Sequence, residues 1–250
     1  MKLGAQFYSI RDKNQTPEGI YESFKAMKEI GYSITQMSAI GPIEPERLRD
    51  ISLEFSLPIT CTHTNPQFVL EETDRIIKEH KIYGCPVIGL GSMPEIYRGS
   101  IEGTRKFISD FSVPAKKIRD AGLKLAYHNH AFEFEDFGGV HSFDLLIEEF
   151  PELDFILDTY WVKYGGYDYL SYIKSLGKAR INNVHFKDMA TEPRGAICPC
   201  GRGVIDFAPV VALCNELGID NALVEQDNAP DSGDSYGQMR ISYENLKSLF

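Results

Sequence analysis

The residues with the most chemistry in this chain are four polar clusters at the ends of apolar runs. They are Tyr127-His128-Asn129-His130-Ala131-Phe132-Glu133, then Asp158, His185 and Glu225. Each follows a run of strand character: Leu123–Ala126, Phe155–Leu157, Ile181–Val184 and Ala222–Val224. An apolar run ending in a carboxylate or imidazole is the pattern of a parallel barrel strand that delivers a side chain to the barrel mouth. Any one of these residues reads equally well as a strand-end hydrogen-bonding group. Four in consecutive units point to a mixed nitrogen and oxygen site for one divalent metal ion.

Positioning such residues requires a repeated strand–helix unit, and the chain alternates apolar runs with amphipathic segments about eight times. Strands are expected at 2–8, 34–37, 59–62, 87–90, 123–127, 153–157, 181–185 and 222–225. Helices are expected at 18–30, 44–55, 67–83, 101–121 (bent at Pro114), 141–150 (Ser142 as a cap), 167–176, 207–217 and 236–249. Gly31, Gly84, Gly122, Gly177 and Gly218 fall where helix C-caps belong. The strands are continuous apolar runs, as in a parallel sheet covered by helices. Eight such units predict a (β/α)8 TIM barrel, with residues 1–250 as a single domain. A doubly wound sheet fits less well, because no Gly-x-Gly-x-x-Gly follows the first strand.

The mouth of that barrel collects Gln6, Tyr8 and Arg11 from the first strand and His63 from the third. The fifth brings His128, His130 and Glu133, the sixth Asp158 and Trp161, the seventh His185, Lys187 and Asp188. A loop carries Gly201-Arg202-Gly203, and the eighth strand brings Glu225 and Asp227. A divalent ion there can chelate a carbonyl and its neighbouring hydroxyl and stabilise the enediolate left when a proton departs. One carboxylate would remove the proton and another return it. Lys187 suits a substrate oxygen or phosphate, or a salt bridge to Asp188 or Asp158. Arg202 can grip a phosphate or carboxylate bidentately, or stand as an exposed loop charge. Trp161, the only tryptophan, is expected to wall the pocket. His63 binds substrate or caps its strand, and His80 and His141 are expected to be solvated.

These blocks together resemble the xylose isomerase-like barrels, the sugar phosphate isomerase/epimerase superfamily that also holds inosose dehydratases and endonuclease IV. The similarity runs through Gly4–Asp12, Tyr127-His128-Asn129-His130-x-x-Glu133-Phe134, Leu157-Asp158-Thr159-x-Trp161, Val184-His185-x-Lys187-Asp188 and Gly201-x-Gly203-Val204-Ile205-Asp206-Phe207. The resemblance implies that Glu133, Asp158, His185 and Glu225 hold one Mn²⁺, Mg²⁺, Co²⁺ or Zn²⁺. It makes Glu133 and Glu225 the proton-transfer pair, with His130 as a second base or a substrate ligand. Gln6, Tyr8, His63, His128, Trp161, Lys187 and Arg202 are left to bind substrate. The chain departs from the family in one respect: many members carry a Glu within strand five, where this chain has His128 or His130.

The function expected is a metal-dependent sugar or sugar phosphate isomerase or epimerase. The alternative is a lyase on a keto-sugar or keto-cyclitol, of the inosose dehydratase kind. A non-enzymatic sugar binder and an endonuclease of the endonuclease IV kind stand further off. A net charge of −10 opposes nucleic acid, which needs clustered Lys and Arg. No window approaches 18 apolar residues and no signal segment opens the chain, so a cytoplasmic protein without a membrane span is expected. Five scattered cysteines read as free thiols. Cys198-Pro199-Cys200 lacks metal-site spacing. The partner expected is a small-molecule carbohydrate, and apolar residues on outer helices hint at a homo-oligomer.

Overall fold

The fold, described for residues 1–250 by a computed structural model, is built on eight parallel strands. They are β1 (Lys2–Gln6), β2 (Ile34–Met37), β3 (Ile59–Thr62), β4 (Val87–Leu90), β5 (Lys124–His128), β6 (Leu153–Asp158), β7 (Ile181–Phe186) and β10 (Asn221–Val224). Their order is β3-β2-β1-β10-β7-β6-β5-β4. The last joint, between β3 and β4, is made by a parallel bridge pairing Thr64 with Leu90 and by the Thr64 N–H donating to the Gly89 carbonyl at 2.7 Å. The result is a nearly closed TIM barrel, as the sequence predicts.

Helices α1 (Pro17–Ile30), α2 (Pro45–Glu54), α3 (Pro66–Glu71), α4 (Thr73–Ile82), α5 (Ile101–Asp120), α6 (Ser142–Glu149), α7 (Thr159–Tyr164), α8 (Tyr169–Arg180), α9 (Phe207–Leu217) and α10 (Ser235–Leu246) connect the strands. No helix is long and apolar enough to cross a membrane. Between the sheet and these helices lies a core of 55 buried residues. A separate core of six, Ile34, Cys61, Val87, Ala126, Ile156 and Leu223, comes from strands on every side and fills the barrel lumen. Parallel strands are apolar on both faces because they serve both cores.

Some local expectations are corrected. The helix expected over 67–83 is two helices, because Glu72 leaves helical geometry (φ −130°, ψ 33°). Gly177 breaks the helix as expected, with φ 55° and ψ −169°, and a further turn runs from there to Arg180. Ser142 is not the cap of α6: His141 occupies that position without a side-chain bond, and the Ser142 hydroxyl pairs with Thr104 at 2.8 Å. His80 is buried, with Nε2 2.9 Å from the Thr62 hydroxyl and Nδ1 2.8 Å from the Ile76 carbonyl. Burial pushes its imidazole down to about 4. Helix α7 and the short antiparallel pair β8 (Asp188–Met189) and β9 (Ile197–Cys198) carry too few residues for a periodic signal.

The β3–β4 joint depends on one missing side chain. A Cβ at Gly89 would lie 2.0 Å from the Thr62 carbonyl oxygen, a backbone atom that cannot swing aside. Gly89→Ala is expected to cost about 1–3 kcal/mol as an overpacked contact, read as a lowered urea midpoint. An unchanged midpoint would refute this close approach.

Candidate active site

The pleat of the barrel strands decides which side chains reach the mouth. Successive residues point to opposite faces, so a residue two beyond a lumen-facing one points inward and one layer higher. Ala126, Ile156 and Leu223 fill the lumen, and His128, Asp158 and Glu225 stand above them. Ile34 and Cys61 carry Gln36 and His63 upward in the same way. His185 joins the layer from β7, two beyond the buried Asn183.

One ligand atom each from His128, Asp158, His185 and Glu225 lies within 4.8 Å of all the others. His128 Nε2 is 3.2 Å from Asp158 Oδ2 and 3.6 Å from Glu225 Oε2. His185 Nδ1 is 2.9 Å from Glu225 Oε2 and 3.8 Å from Asp158 Oδ2. All four residues are buried.

The far sides of these groups are held by partners that aim them. His128 Nδ1 donates to the Gly91 carbonyl at 3.1 Å, so the lone pair belongs to Nε2. Asp158 Oδ1 accepts the Trp161 N–H at 2.9 Å as the N-cap of α7. The Asp158 N–H donates to Asn129 Oδ1 at 2.9 Å. Glu225 Oε1 accepts from Gln6 Nε2 at 2.7 Å. His185 Nε2 faces Gln36 Oε1 at 2.6 Å.

Charge in the cluster is divided unevenly. Burial, and next the neighbouring His185, push the His128 imidazole down to about 3, so it is neutral. Burial works to raise Glu225, but Lys187 and His185 outweigh it and hold this carboxyl well below the ordinary range. Asp158 is pushed up to about 6 by burial against the pull of Lys187. A neutral His128 therefore turns a lone pair toward two carboxylate oxygens. Acceptors facing one another at this distance repel unless a cation lies among them. Two imidazole nitrogens and two carboxylate oxygens are a donor set that suits a divalent ion. On that ground the residues present fit one.

Glu133 is not brought into this group. It lies in a 3₁₀ turn, Phe132–Phe134, beyond the end of β5. Its carboxylate accepts the Tyr127 hydroxyl and, at 2.7 Å, the His130 N–H. His128 takes the strand-five position because it alternates correctly with Ala126. Glu133 instead clamps the chain: Tyr127 Oη also accepts the Met93 N–H at 3.0 Å, tying two mouth loops together. Burial pushes Glu133 up to about 7, against the hydrogen bonds from Tyr127 and the backbone.

The remaining candidates line the rim or stand apart. Lys187, 1% exposed, binds Asp227 at 2.7 Å and Glu225 at 3.5 Å, not Asp188 or Asp158. Burial opposes its charge, but Glu225, Asp158 and Asp227 hold the ammonium above the ordinary lysine range. Its Nζ lies 4.9 Å from the Trp161 ring centre. His130 stacks on Phe132 at 5.7 Å and leans on Trp161 at 5.2 Å. His130 Nδ1 and Trp161 Nε1 have no partner. Both line a cleft of about 710 Å³ together with Ser92, Arg98, Phe132 and Tyr164. His63 lies 5.0 Å from the His128 ring, with Nδ1 on Ser38 and Nε2 unpartnered, and borders a second cleft of about 660 Å³. Tyr8 is covered by the Arg11 guanidinium at 4.1 Å, which also donates to the Asp227 carbonyl.

Arg202 is an exposed loop residue. The amides of its glycine-rich loop look ready for an anion, but that anion is the chain's own: Asp188 accepts from Met189, Gly201, Gly203 and Ile205 at 2.8–3.0 Å. A Cβ at Gly203 would lie 2.4 Å from the Asp188 carboxylate. The five cysteines are free, and Cys200 Sγ donates to the Phe186 carbonyl at 3.0 Å.

Comparison with known proteins agrees with this architecture. The profile of the xylose isomerase-like TIM barrels matches residues 6–246, and the chain belongs to that family. No curated protein matches the sequence. Among solved structures, a sugar phosphate isomerase/epimerase from Parabacteroides distasonis superposes with a TM-score of 0.80 at 21% identity, over 99% of this chain and 98% of that one. A D-allulose 3-epimerase from Methylomonas sp. gives 0.69 at 12%, over 100% and 98%. A protein described as a probable 3-DHS dehydratase from Bacillus anthracis gives 0.72 at 13%, over 96% and 98%. At these identities the likeness concerns the fold.

Glu133 gives the fold a pH dependence. Its folded value of about 7 lies above the ordinary 4.5. Its contribution is therefore fully present below pH 4.5 and is lost as pH rises through 7, by roughly 3 kcal/mol at 1.36 kcal/mol per unit. Glu133→Gln is expected to flatten the stability profile between pH 4.5 and 7, followed by urea unfolding at stepped pH. An equal slope in the variant would count against this.

Proposed function

We propose that this chain is a divalent-metal-dependent isomerase or epimerase of a small carbohydrate, with His128, Asp158, His185 and Glu225 as the metal ligands. The observation that carries this reading is the neutral His128 imidazole turned toward two carboxylates, beside an aromatic-walled cleft. The ion would supply Lewis-acid stabilisation of the charge that develops when a proton leaves the carbon next to a carbonyl.

The chain's own groups divide the rest of the work. Trp161 and Phe132 offer apolar faces to a sugar ring. Lys187 places a fixed positive charge beside the cluster, where a substrate oxygen gains electron density. His130, with Nδ1 unpartnered at the cleft and its imidazole pushed down to about 2 by burial and next by His128, stands neutral there and is the candidate proton acceptor. Glu225 remains the second proton-transfer candidate. Glu133 acts through the His130 backbone. Endonuclease chemistry gains nothing from a chain of net charge −10.

The lyase reading is favoured by one observation: Glu133 is bound to Tyr127 and the His130 N–H, which leaves no second free glutamate to return a proton. An imidazole base beside an ammonium suits elimination from a keto-sugar or keto-cyclitol. Incubating the Mn²⁺-loaded protein in D₂O with ketoses, their phosphates and keto-cyclitols separates the two by NMR. Deuterium beside the carbonyl with a new stereoisomer or aldose is the expected result, and loss of water or a leaving group makes the enzyme a lyase. No exchange with any compound removes both.

Chelation is expected to abolish turnover and Mn²⁺ or Co²⁺ to restore it. Full activity in a verified metal-free sample would rule out the metal. His130→Gln is expected to lower kcat by roughly 10²–10⁴-fold with metal content unchanged, and an unchanged kcat would remove His130 from proton transfer.

A further inference from the structure

Gln36 and Gln6 stand opposite each other on neighbouring strands, paired in register, and both are fully buried. They touch the cluster in opposite senses. Gln6 donates its amide N–H to the anionic ligand Glu225 at 2.7 Å. Gln36 presents its amide oxygen to the second nitrogen of His185 at 2.6 Å. An amide oxygen only accepts, so this contact requires the proton of His185 on Nε2. In a neutral ring, the form that can hold a cation, the lone pair is then on Nδ1, the nitrogen 2.9 Å from Glu225 Oε2. His128 meets the same need through a backbone carbonyl, which no side-chain substitution can remove. At His185 the acceptor is a side chain. A carboxylate there would add a third buried negative charge beside Asp158 and Glu225, and a hydroxyl at the end of β2 would not reach. Glutamine supplies an acceptor with reach and no charge.

We infer that Gln36 is a positioning residue for the metal ligand: by accepting the Nε2 proton it fixes His185 in the tautomer that leaves Nδ1 free, and so sets the affinity of the centre for its ion. The inference rests on the metal reading above. A partner on the far nitrogen of a ligating histidine fixes both its ring orientation and its tautomer, and losing one commonly weakens binding 10–100-fold.

The probe is Zn²⁺, which is diamagnetic and permits NMR. In Zn²⁺-loaded wild type with ¹⁵N-labelled histidine, long-range ¹H–¹⁵N spectra are expected to place the His185 proton on Nε2. Equilibrium dialysis of Gln36→Leu is expected to give a Zn²⁺ Kd weaker by roughly 10–100-fold. Gln36→Glu, which keeps an acceptor at the same reach, is expected to bind at least as tightly as wild type. If Gln36→Leu does not fold, Gln36→Asn withdraws the oxygen by one methylene and is expected to weaken binding in the same direction. Wild-type affinity in Gln36→Leu or Gln36→Asn, weakened binding in Gln36→Glu, or a proton on Nδ1 overturns the role of Gln36 alone. A wild-type protein that takes up no Zn²⁺, Mn²⁺ or Co²⁺ overturns the metal reading as well.

Discussion

The mouth of this barrel is organised around electron pairs that point at one another. A neutral imidazole and two carboxylates converge on a space from which water is largely excluded, and such a set is stable only around positive charge. Lys187 supplies part of it from the side, anchored by Asp227. On the metal reading proposed above, the remainder comes from an ion that accepts nitrogen and oxygen donors together. The contacts of the cluster itself share one form: each of its residues is gripped on its far side while its near side faces the others.

The grips come from elements that serve the barrel anyway. Gly91 follows β4, Trp161 lies in the first turn of α7, Gln6 ends β1, and Gln36 is the last residue but one of the neighbouring β2. Asp158 is both a cluster member and the cap of a helix, so the ligand and the chain path after it are fixed by one carboxylate. Similarly, Glu133 fixes the path of His130 by its backbone, while Tyr127 links that path to Met93. Positioning and folding are here the same hydrogen bonds. The mouth is thereby rigid to the degree that the barrel is.

Much of the fold was legible because β4 is a short apolar run and β2 and β3 are short runs rich in β-branched residues, all with clear flanks, and their expected ends agree with the structure. Asp158, His185 and Glu225 were legible as polar residues closing such runs. His128 reads in the sequence as a substrate-binding residue because a carboxylate five positions later competes for the ligand role. The alternation rule favours the histidine: Ala126 and His128 share a face as Ile156 and Asp158 do, while Glu133 lies past the strand, where period two no longer applies. Gln36 carried no such flag, since a single amide in a buried strand is defined by what lies across the barrel. The destination of Asp188 was hidden for a similar reason. Its partners are backbone amides, which leave no mark on side-chain pattern.

Asp188 leaves a freedom that its neighbours lack. It binds the glycine-rich loop through the main chain at three points, Gly201, Gly203 and Ile205, so the course of that loop does not depend on which side chains Arg202 and Val204 carry. Such a loop is a fixed frame with replaceable panels. Substitutions at those two places change the face shown to solvent or to a visiting molecule while the frame keeps its outline. Specificity on this side of the mouth can therefore drift by single residue exchanges, without the insertions and deletions by which barrel loops usually diversify.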